Sequence, residues 1–223
     1  MDTARKKGTV KPSEEADPWF KRPLDLSVLV ASHVVLFPVI ALLWVTIPLA
    51  IWLEDRGPVF FQQRRVGKRG EHFTQIKFRT MLVDADQIGP IWTSSTDSRV
   101  TKTGMFLRRT ALDEIPQVIN IWKGDMSIVG PRPLSVEEHD VYVAQDPSFV
   151  LRVQVRPGLT GPAAINLPRR CPPDLRMEGD LYYIQHRGLW LDIKLIMQSV
   201  WLTLTGQWGS GPRRARESDT HAS

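Results

Sequence analysis

Residues Leu26 to Leu53 form a run of 28 residues without a formal charge, relieved only by His33 and a few hydroxyls. As one helix the run would be about 42 Å long, against roughly 30 Å of bilayer hydrocarbon. A run of this length and composition predicts a membrane segment. It is too long for a cleaved signal peptide, and no small-residue cleavage site follows it. Basic residues stand on both sides: Lys21 and Arg22 before, Arg56, Arg64, Arg65, Lys68 and Arg69 after. Basic flanks favour the cytoplasmic side of a membrane. Pro38 and Pro48 each remove a backbone donor and bend a helix. Two readings stay open on these residues: a re-entrant helix that dips in and returns, or one kinked span with its N-terminal tail outside.

The rest of the 223-residue chain looks like one globular domain. Charged residues make up 24% and apolar ones 42%, which excludes a wholly disordered chain. A mean hydropathy of −0.19 excludes a polytopic membrane protein. The lone Cys171 excludes a disulfide framework and a multi-thiolate zinc site. Net charge is 29 − 24 = +5, scattered along the chain, which argues against a nucleic-acid binder but suits a membrane surface or a phosphate substrate. The composition predicts flexible tails at 1–20 and 209–223, a membrane segment at 21–56 and a folded domain at 57–208.

Inside that domain, β-capable runs at 59–66 and 72–79 flank Gly67-Lys-Arg-Gly70 and predict a hairpin. Residues 80–88 read as helical and 89–98 as a loop. Short helices are expected at 102–111 and 113–122, the second ending at Lys123-Gly124. Residues 135–152 read as a helix and 156–162 (RPGLTGP) as a rigid loop. The last element, 181–208, carries Trp190, Trp201 and Trp208. It reads either as an in-plane interfacial helix or as an ordinary core helix.

Three constellations carry charge in a usable pattern. Arg108-Arg109 precede Asp113-Glu114, with Pro116 in an expected first helical turn. Asp113 would cap that helix and Glu114 would open it. Adjacent carboxylates beside arginines fit a divalent metal with a phosphate, or a carboxylate that attacks phosphorus; they also fit an ordinary helix cap. Pro131-Arg132-Pro133 fixes a backbone and aims a guanidinium at phosphate or carboxylate, or is simply a rigid turn. Lys77 and Arg79 share one face of a strand, as a phosphate-sized patch or a solvated face. Asp84-Ala-Asp86 has the form of a DxD metal motif but stands in a helical context and is set aside. The histidines at 33, 72, 139, 186 and 221 lack metal-ligand spacing. P-loop, GxGxxG and GxSxG motifs are absent.

Taken in order, KRPLDL, the proline-broken apolar run, GPVFFQQRRVGKRGEHFTQIKFRTM, RVTKTGMFLRRTALDEIPQVINIWKGDMSIVGPRP, RPGLTGP and DLYYI…LWLDIKLI resemble one family. It is that of the bacterial sugar transferases, the monotopic phosphoglycosyl transferases that begin glycan assembly on polyprenyl phosphate. The resemblance runs from about Lys21 to about Trp201. It implies an α+β, mostly helical, compact monotopic membrane protein with a re-entrant N-terminal helix at 21–56, a β-hairpin and amphipathic interfacial helices, the catalytic domain being 57–208. It implies transfer of a sugar 1-phosphate from a UDP-sugar to undecaprenyl phosphate with release of UMP, at the cytoplasmic face of the inner membrane, in polysaccharide or lipopolysaccharide synthesis. Asp113 falls on the family's nucleophile and Glu114 on the residue tied to its Mg²⁺ site, both carboxylates being expected at the metal. Lys77, Arg79, Arg108, Arg109, Pro131, Arg132, Pro133, Arg169 and Asp180 fall on substrate-binding positions. The run after RPGLTG departs from the usual Ala-Gln-x-x-Gly-Arg pattern: it reads GPAAINLPRR, with Ala164 in place of Gln and Leu167-Pro168 in place of Gly. Self-association is left open. The competing class is a membrane-anchored binding protein for anionic lipid or a partner.

Overall fold

Pro38 divides the apolar run. In the computed structural model, which describes residues 16–85, 97–167 and 171–205, helix α1 spans Lys21–Val35 and helix α2 spans Phe37–Glu54. The helical geometry lapses at Leu36 (φ −103°, ψ 16°). Pro38 then sits in the first turn of α2, where the missing N–H costs nothing. Helix α2 is long and apolar enough to cross a membrane. Phe37, Val39, Leu42, Val45, Leu49 and Leu53 are exposed along it, a surface too apolar to be left to water. Its one buried stripe, Ile47 and Ile51, packs on Phe78 and Leu107.

The hairpin forms where expected, with β1 at Phe60–Val66 and β2 at His72–Phe78, paired antiparallel from Phe60↔Phe78 to Val66↔His72. Arg69 and Gly70 turn the chain with positive φ. Phe78 contacts Phe60 and Trp44, each at 5.6 Å between ring centroids, which fastens the hairpin to α2.

Residues 80–84 do not form the expected helix. Their backbone groups bond across the chain instead: Thr101 N–H donates to Thr80 O (3.1 Å) and Leu82 N–H to Arg99 O (2.9 Å). The remainder of that helix, from residue 86, and most of the loop at 89–98 lie outside the described residues. Helix α3 (Lys102–Thr110) crosses Thr80 so closely that a Cβ on Gly104 would lie 2.0 Å from Thr80 O. A turn of 3₁₀ helix at Leu112–Glu114 leads to α4 (Gln117–Lys123), which stops at Gly124 with φ 90°.

Strand β3 (Ser127–Val129) pairs in parallel with β4 (Gly158–Thr160). The stretch read as a rigid loop is therefore partly strand; three residues are too few for alternation to show. Helix α5 (Val136–Gln145) opens with a capping box of Ser135 and Glu138. The helix expected through 152 is broken at Pro147 and continues as 3₁₀ turns to Gln154. Helices α6 (Pro162–Asn166), α7 (Pro173–His186) and α8 (Leu189–Thr205) complete the fold. The single element expected over 181–208 is two helices, parted at Arg187-Gly188. Helix α8 buries Asp192 and Leu195 while exposing Trp190, Met197, Val200, Trp201 and Leu204, so it has a core face and an apolar outer face.

Buried polar groups lock the N-terminal helix to the domain. Lys21 Nζ donates to Asp192 Oδ2 (2.6 Å), Val129 O (2.7 Å) and Tyr183 OH (2.8 Å). Asp25 Oδ1 accepts from Ser127 Oγ (2.9 Å) and Ile128 N–H (3.0 Å). Upstream, within the stretch read as a tail, Asp17 pairs with Lys68 at 2.8 Å and with Arg156.

Candidate active site

Helix α3 ends at Ala111, a non-glycine residue in the left-handed region (φ 58°, ψ 16°). That conformation costs an L-residue about 1–2 kcal/mol. The reversal it produces delivers Asp113 and Glu114 on the 3₁₀ turn. The expected capping role is not found: α4 begins at Gln117, three residues beyond Glu114, and has no side-chain cap. Two cations claim Glu114 instead, and charge-assisted hydrogen bonds outweigh the pull of a helix terminus.

Glu114 Oε1 accepts from Lys77 Nζ at 3.0 Å and from Arg132 Nη1 at 3.1 Å. Lys77 comes from β2 and Arg132 from the turn after β3, so the site closes only when hairpin, turn and α3 are assembled. Burial alone would raise the Glu114 carboxyl, but Lys77 and Arg132 together hold it well below the usual carboxylate range. Lys77 is pushed down by burial even though Glu114 pulls it up. Glu114 raises Arg132 above its ordinary value. Lys77 and Arg132 face the same carboxylates, so the difference between them lies in burial, which outweighs Glu114 at Lys77 and does not at Arg132. Asp113 is buried beside them, and its charge acts on both cations.

The aim of Arg132 is set from behind. Pro131 and Pro133 are buried while the guanidinium between them is half-exposed. Arg152 Nη2 donates to Arg132 O at 2.7 Å and pairs with Asp180 at 2.8 Å, both side chains being almost wholly buried. Arg65 donates to Pro133 O at 3.3 Å and to Glu138 Oε2 at 3.1 Å. Asp180 thus stands behind the turn rather than in the site. Arg152 escaped the sequence reading altogether, since nothing local marks it. The Arg65–Glu138 pair went unread too, because the Ser135-x-x-Glu138 spacing announces only a helix start.

Lys77 and Arg79 do share a face, and both line one cavity of about 1280 Å³ together with Asp113, Glu114 and Arg132. Arg79 is tied to the end of α2, donating to Asp55 O and lying 3.7 Å from its carboxylate. Arg108 lines the same cavity, its Nε donating to Thr80 Oγ1 at 2.8 Å. Arg109, one residue on, is exposed and is not on the cavity wall. Arg169 lies outside the described residues, as does Asp86; Asp84 is exposed on a turn.

Among the described residues no three His, Cys, Asp or Glu side chains gather to hold a metal. Asp113 and Glu114 alone fit Mg²⁺, which usually takes one or two carboxylates and fills its other positions with water and substrate phosphate. Both cations bond to Oε1 of Glu114, so they do not consume its second oxygen.

The sequence matches the profile of the bacterial sugar transferase family over residues 16–206. A UDP-N-acetylgalactosamine-undecaprenyl-phosphate N-acetylgalactosaminephosphotransferase of Aeromonas hydrophila is 35% identical over 84% of this chain and 44% of its own length. A UDP-glucose:undecaprenyl-phosphate glucose-1-phosphate transferase of Caulobacter vibrioides is 38% identical over 83% of this chain and 70% of its own. The protein of the same description from Escherichia coli is 40% identical over 81% of this chain and 39% of its own. The chain thus spans less than half the length of two of these relatives. A profile that covers every described element, from Asp17 to α8, identifies the chain as a member of the bacterial sugar transferase family.

Proposed function

We propose that the protein transfers a sugar 1-phosphate from a UDP-sugar to undecaprenyl phosphate and releases UMP, at the cytoplasmic face of the inner membrane. The observation that carries this reading is the buried Asp113 beside a Glu114–Lys77–Arg132 cluster, on the wall of a cavity that also reaches apolar helix faces. The relatives' descriptions supply the substrate class, a UDP-sugar and undecaprenyl phosphate.

Asp113 attacks the β-phosphorus of the donor. An aspartyl O–P bond forms, the bond from that phosphorus to the bridging oxygen breaks, and UMP leaves with the electron pair. An oxygen of undecaprenyl phosphate then attacks the same phosphorus and returns Asp113 as a carboxylate. The sugar–oxygen bond stays intact throughout. Lys77 and Arg132 counter the charge gathered on the phosphates, and Glu114 keeps both cations in place. Asp113 and Glu114 would hold Mg²⁺, whose part when bound is to neutralise the pyrophosphate. A protein that only bound anionic lipid would gain nothing by burying a carboxylate among its cations.

The test is UMP release across a panel of UDP-sugars, including UDP-glucose and UDP-N-acetylgalactosamine, with undecaprenyl phosphate in nanodiscs. Asp113→Asn should abolish turnover and the attachment of radiolabelled sugar phosphate to the protein. Full activity in that variant would remove the nucleophile.

A further inference from the structure

Two helix faces line the same cavity as the cations. From α8 come Ile196, Ser199, Val200, Thr203 and Leu204. Their spacing of i, i+3, i+4, i+7 and i+8 is one continuous stripe of a helix. From one face of α1 come Val28, Leu29 and Ser32, followed by Leu36 at the break after the helix. The inner ends of both stripes are buried or half-buried. Their outer ends, Leu36 and Leu204, are 48% and 78% exposed and belong to the same apolar exterior as Val35 and Phe37. The wall of one cavity therefore takes in both the carboxylate–cation cluster and helix faces that reach the outer apolar surface. Ser199 does not make these faces polar: its hydroxyl is shared with Thr160 at 2.6 Å and with Leu195 O at 2.9 Å. Ser32 likewise bonds Leu29 O at 2.9 Å.

From this arrangement we infer that the cavity wall formed by α1 and α8 holds the isoprenoid chain of the acceptor, with its phosphate at Lys77 and Arg132. The inference rests on the transfer reaction proposed above. It adds which wall of the cavity the lipid uses. Three observations favour this occupant. The cavity wall carries both the Lys77–Arg132 cations and the two apolar stripes, matching an anionic head on a hydrocarbon tail. Its volume of about 1280 Å³ exceeds the roughly 300–1,000 Å³ of a pocket for one small ligand, leaving room for donor and acceptor phosphates together. The apolar stripes continue onto exposed helix faces, as a chain longer than the cavity requires. The exposed face of α2 (Val39, Leu42, Val45, Leu49) lies outside the cavity and is the surface left for bulk lipid.

A farnesyl phosphate with a diazirine on its terminal isoprene, photolysed with the full chain in nanodiscs, should label residues 196–204 and 28–36, and undecaprenyl phosphate should displace it. Val200→Trp and Ser32→Trp, on opposite walls, should each raise the KM for undecaprenyl phosphate more than tenfold while moving the KM for the UDP-sugar less than twofold. Val45→Trp, on the outer face of α2, should change neither. Labels confined to 39–49, labels displaced by phosphatidylglycerol but not by undecaprenyl phosphate, or an unchanged acceptor KM in both tryptophan variants would overturn the assignment. Photolabelling uses the unaltered protein, so misfolding of a variant leaves the test intact. Absence of UMP release with every donor would instead remove the transfer reaction itself.

Discussion

Asp180→Asn separates a buried ion pair from the work it does for the site. The pair with Arg152 is 2.8 Å long, and the side chains are 5% and 2% exposed. Burial raises the Asp180 carboxyl and lowers the Arg152 guanidinium, each against the pull of its partner. Both directions say that desolvation outweighs attraction, so the charges are held at a cost. Removing one charge leaves the other buried alone, at about 3–5 kcal/mol. At about 2–4 °C per kcal/mol for a chain of this size, the variant should melt about 6–20 °C lower. Replacing both, as Asp180→Leu with Arg152→Met, removes the stranded charge and should bring the melting temperature back to within about 3 °C of the parent, since buried pairs exchange for apolar residues almost neutrally. Activity should part from stability there. Arg132 O loses its charged donor in the double variant, a hydrogen bond of about 1.5–3 kcal/mol. If half of that aims Arg132, kcat/KM falls about three- to twelvefold in a protein that melts normally. Differential scanning fluorimetry and UMP release on the same nanodisc samples measure both. A single variant that melts with the parent would refute the energetic argument, and a stable double variant of full activity would refute the positioning role.

Glu114→Gln should flatten the acid limb of stability. Glu114 is held below its unfolded value of 4.5, so its contribution is complete above that pH and is lost as pH falls through the folded value. Acid titrations of both proteins followed by tryptophan fluorescence should show the parent losing stability below pH 4.5 more steeply than the variant. Ala111→Gly should raise the melting temperature, because glycine relieves a left-handed conformation costing about 1–2 kcal/mol and gives back about 0.5–1 kcal/mol in unfolded-state entropy; a lower melting temperature would show that the alanine methyl is packed rather than strained. Glu54→Ala should cost about 1 kcal/mol, since Glu54 accepts from Lys102 N–H at 2.6 Å and Thr103 N–H at 2.8 Å, two helix-start donors that the Thr101 cap, bonded to Gly104 N–H, does not reach. Hydrogen exchange at the start of α3 should rise in that variant and nowhere else on the helix.

Local chemistry made the hairpin, the break at Pro38 and the stop at Gly124 readable, because each depends on residues within a few positions. The acidic dyad was readable as a candidate for the same reason. Its setting was legible only through the family resemblance, which put Lys77 and Arg132 with it; no local pattern does. Lys77 and Glu114 are 37 positions apart, Arg152 and Arg132 are 20 apart, and no periodicity links them. Asp113 and Glu114 looked like a helix start because Asp-Glu before Pro often is one. Tertiary cations then outbid the helix for Glu114. Strands β3 and β4 were missed because each has three residues, and their parallel pairing depends on Gly130 and Gly158 passing so closely that a Cβ on Gly158 would lie 2.0 Å from Gly130 N. Only the assembled fold makes that contact visible.

Lys21 and Arg22 read in the sequence as cytoplasmic charges flanking a membrane segment. Their bonds change what they say about topology. Lys21 is neutralised in the core by Asp192, and Arg22 donates to the carbonyls of Ile121 and Trp122. Neither is a free cation facing a headgroup. The far end of the apolar run is bound to the same domain, Glu54 to the start of α3 and Asp55 to Arg79 and Val83 N–H. A folded domain cannot grip both ends of a helix pair and also sit on both sides of a bilayer. This tethering supports the proposed re-entrant path more strongly than charge counting, because it depends on hydrogen bonds that a straight span would have to break. Cysteines placed at positions 2 and 70 in a Cys171→Ser background should both react with a membrane-impermeant maleimide only after the inner face is opened. Reaction of position 2 alone in intact cells would mean that Lys21 leaves Asp192 in the membrane, and the kinked span would replace the re-entrant helix.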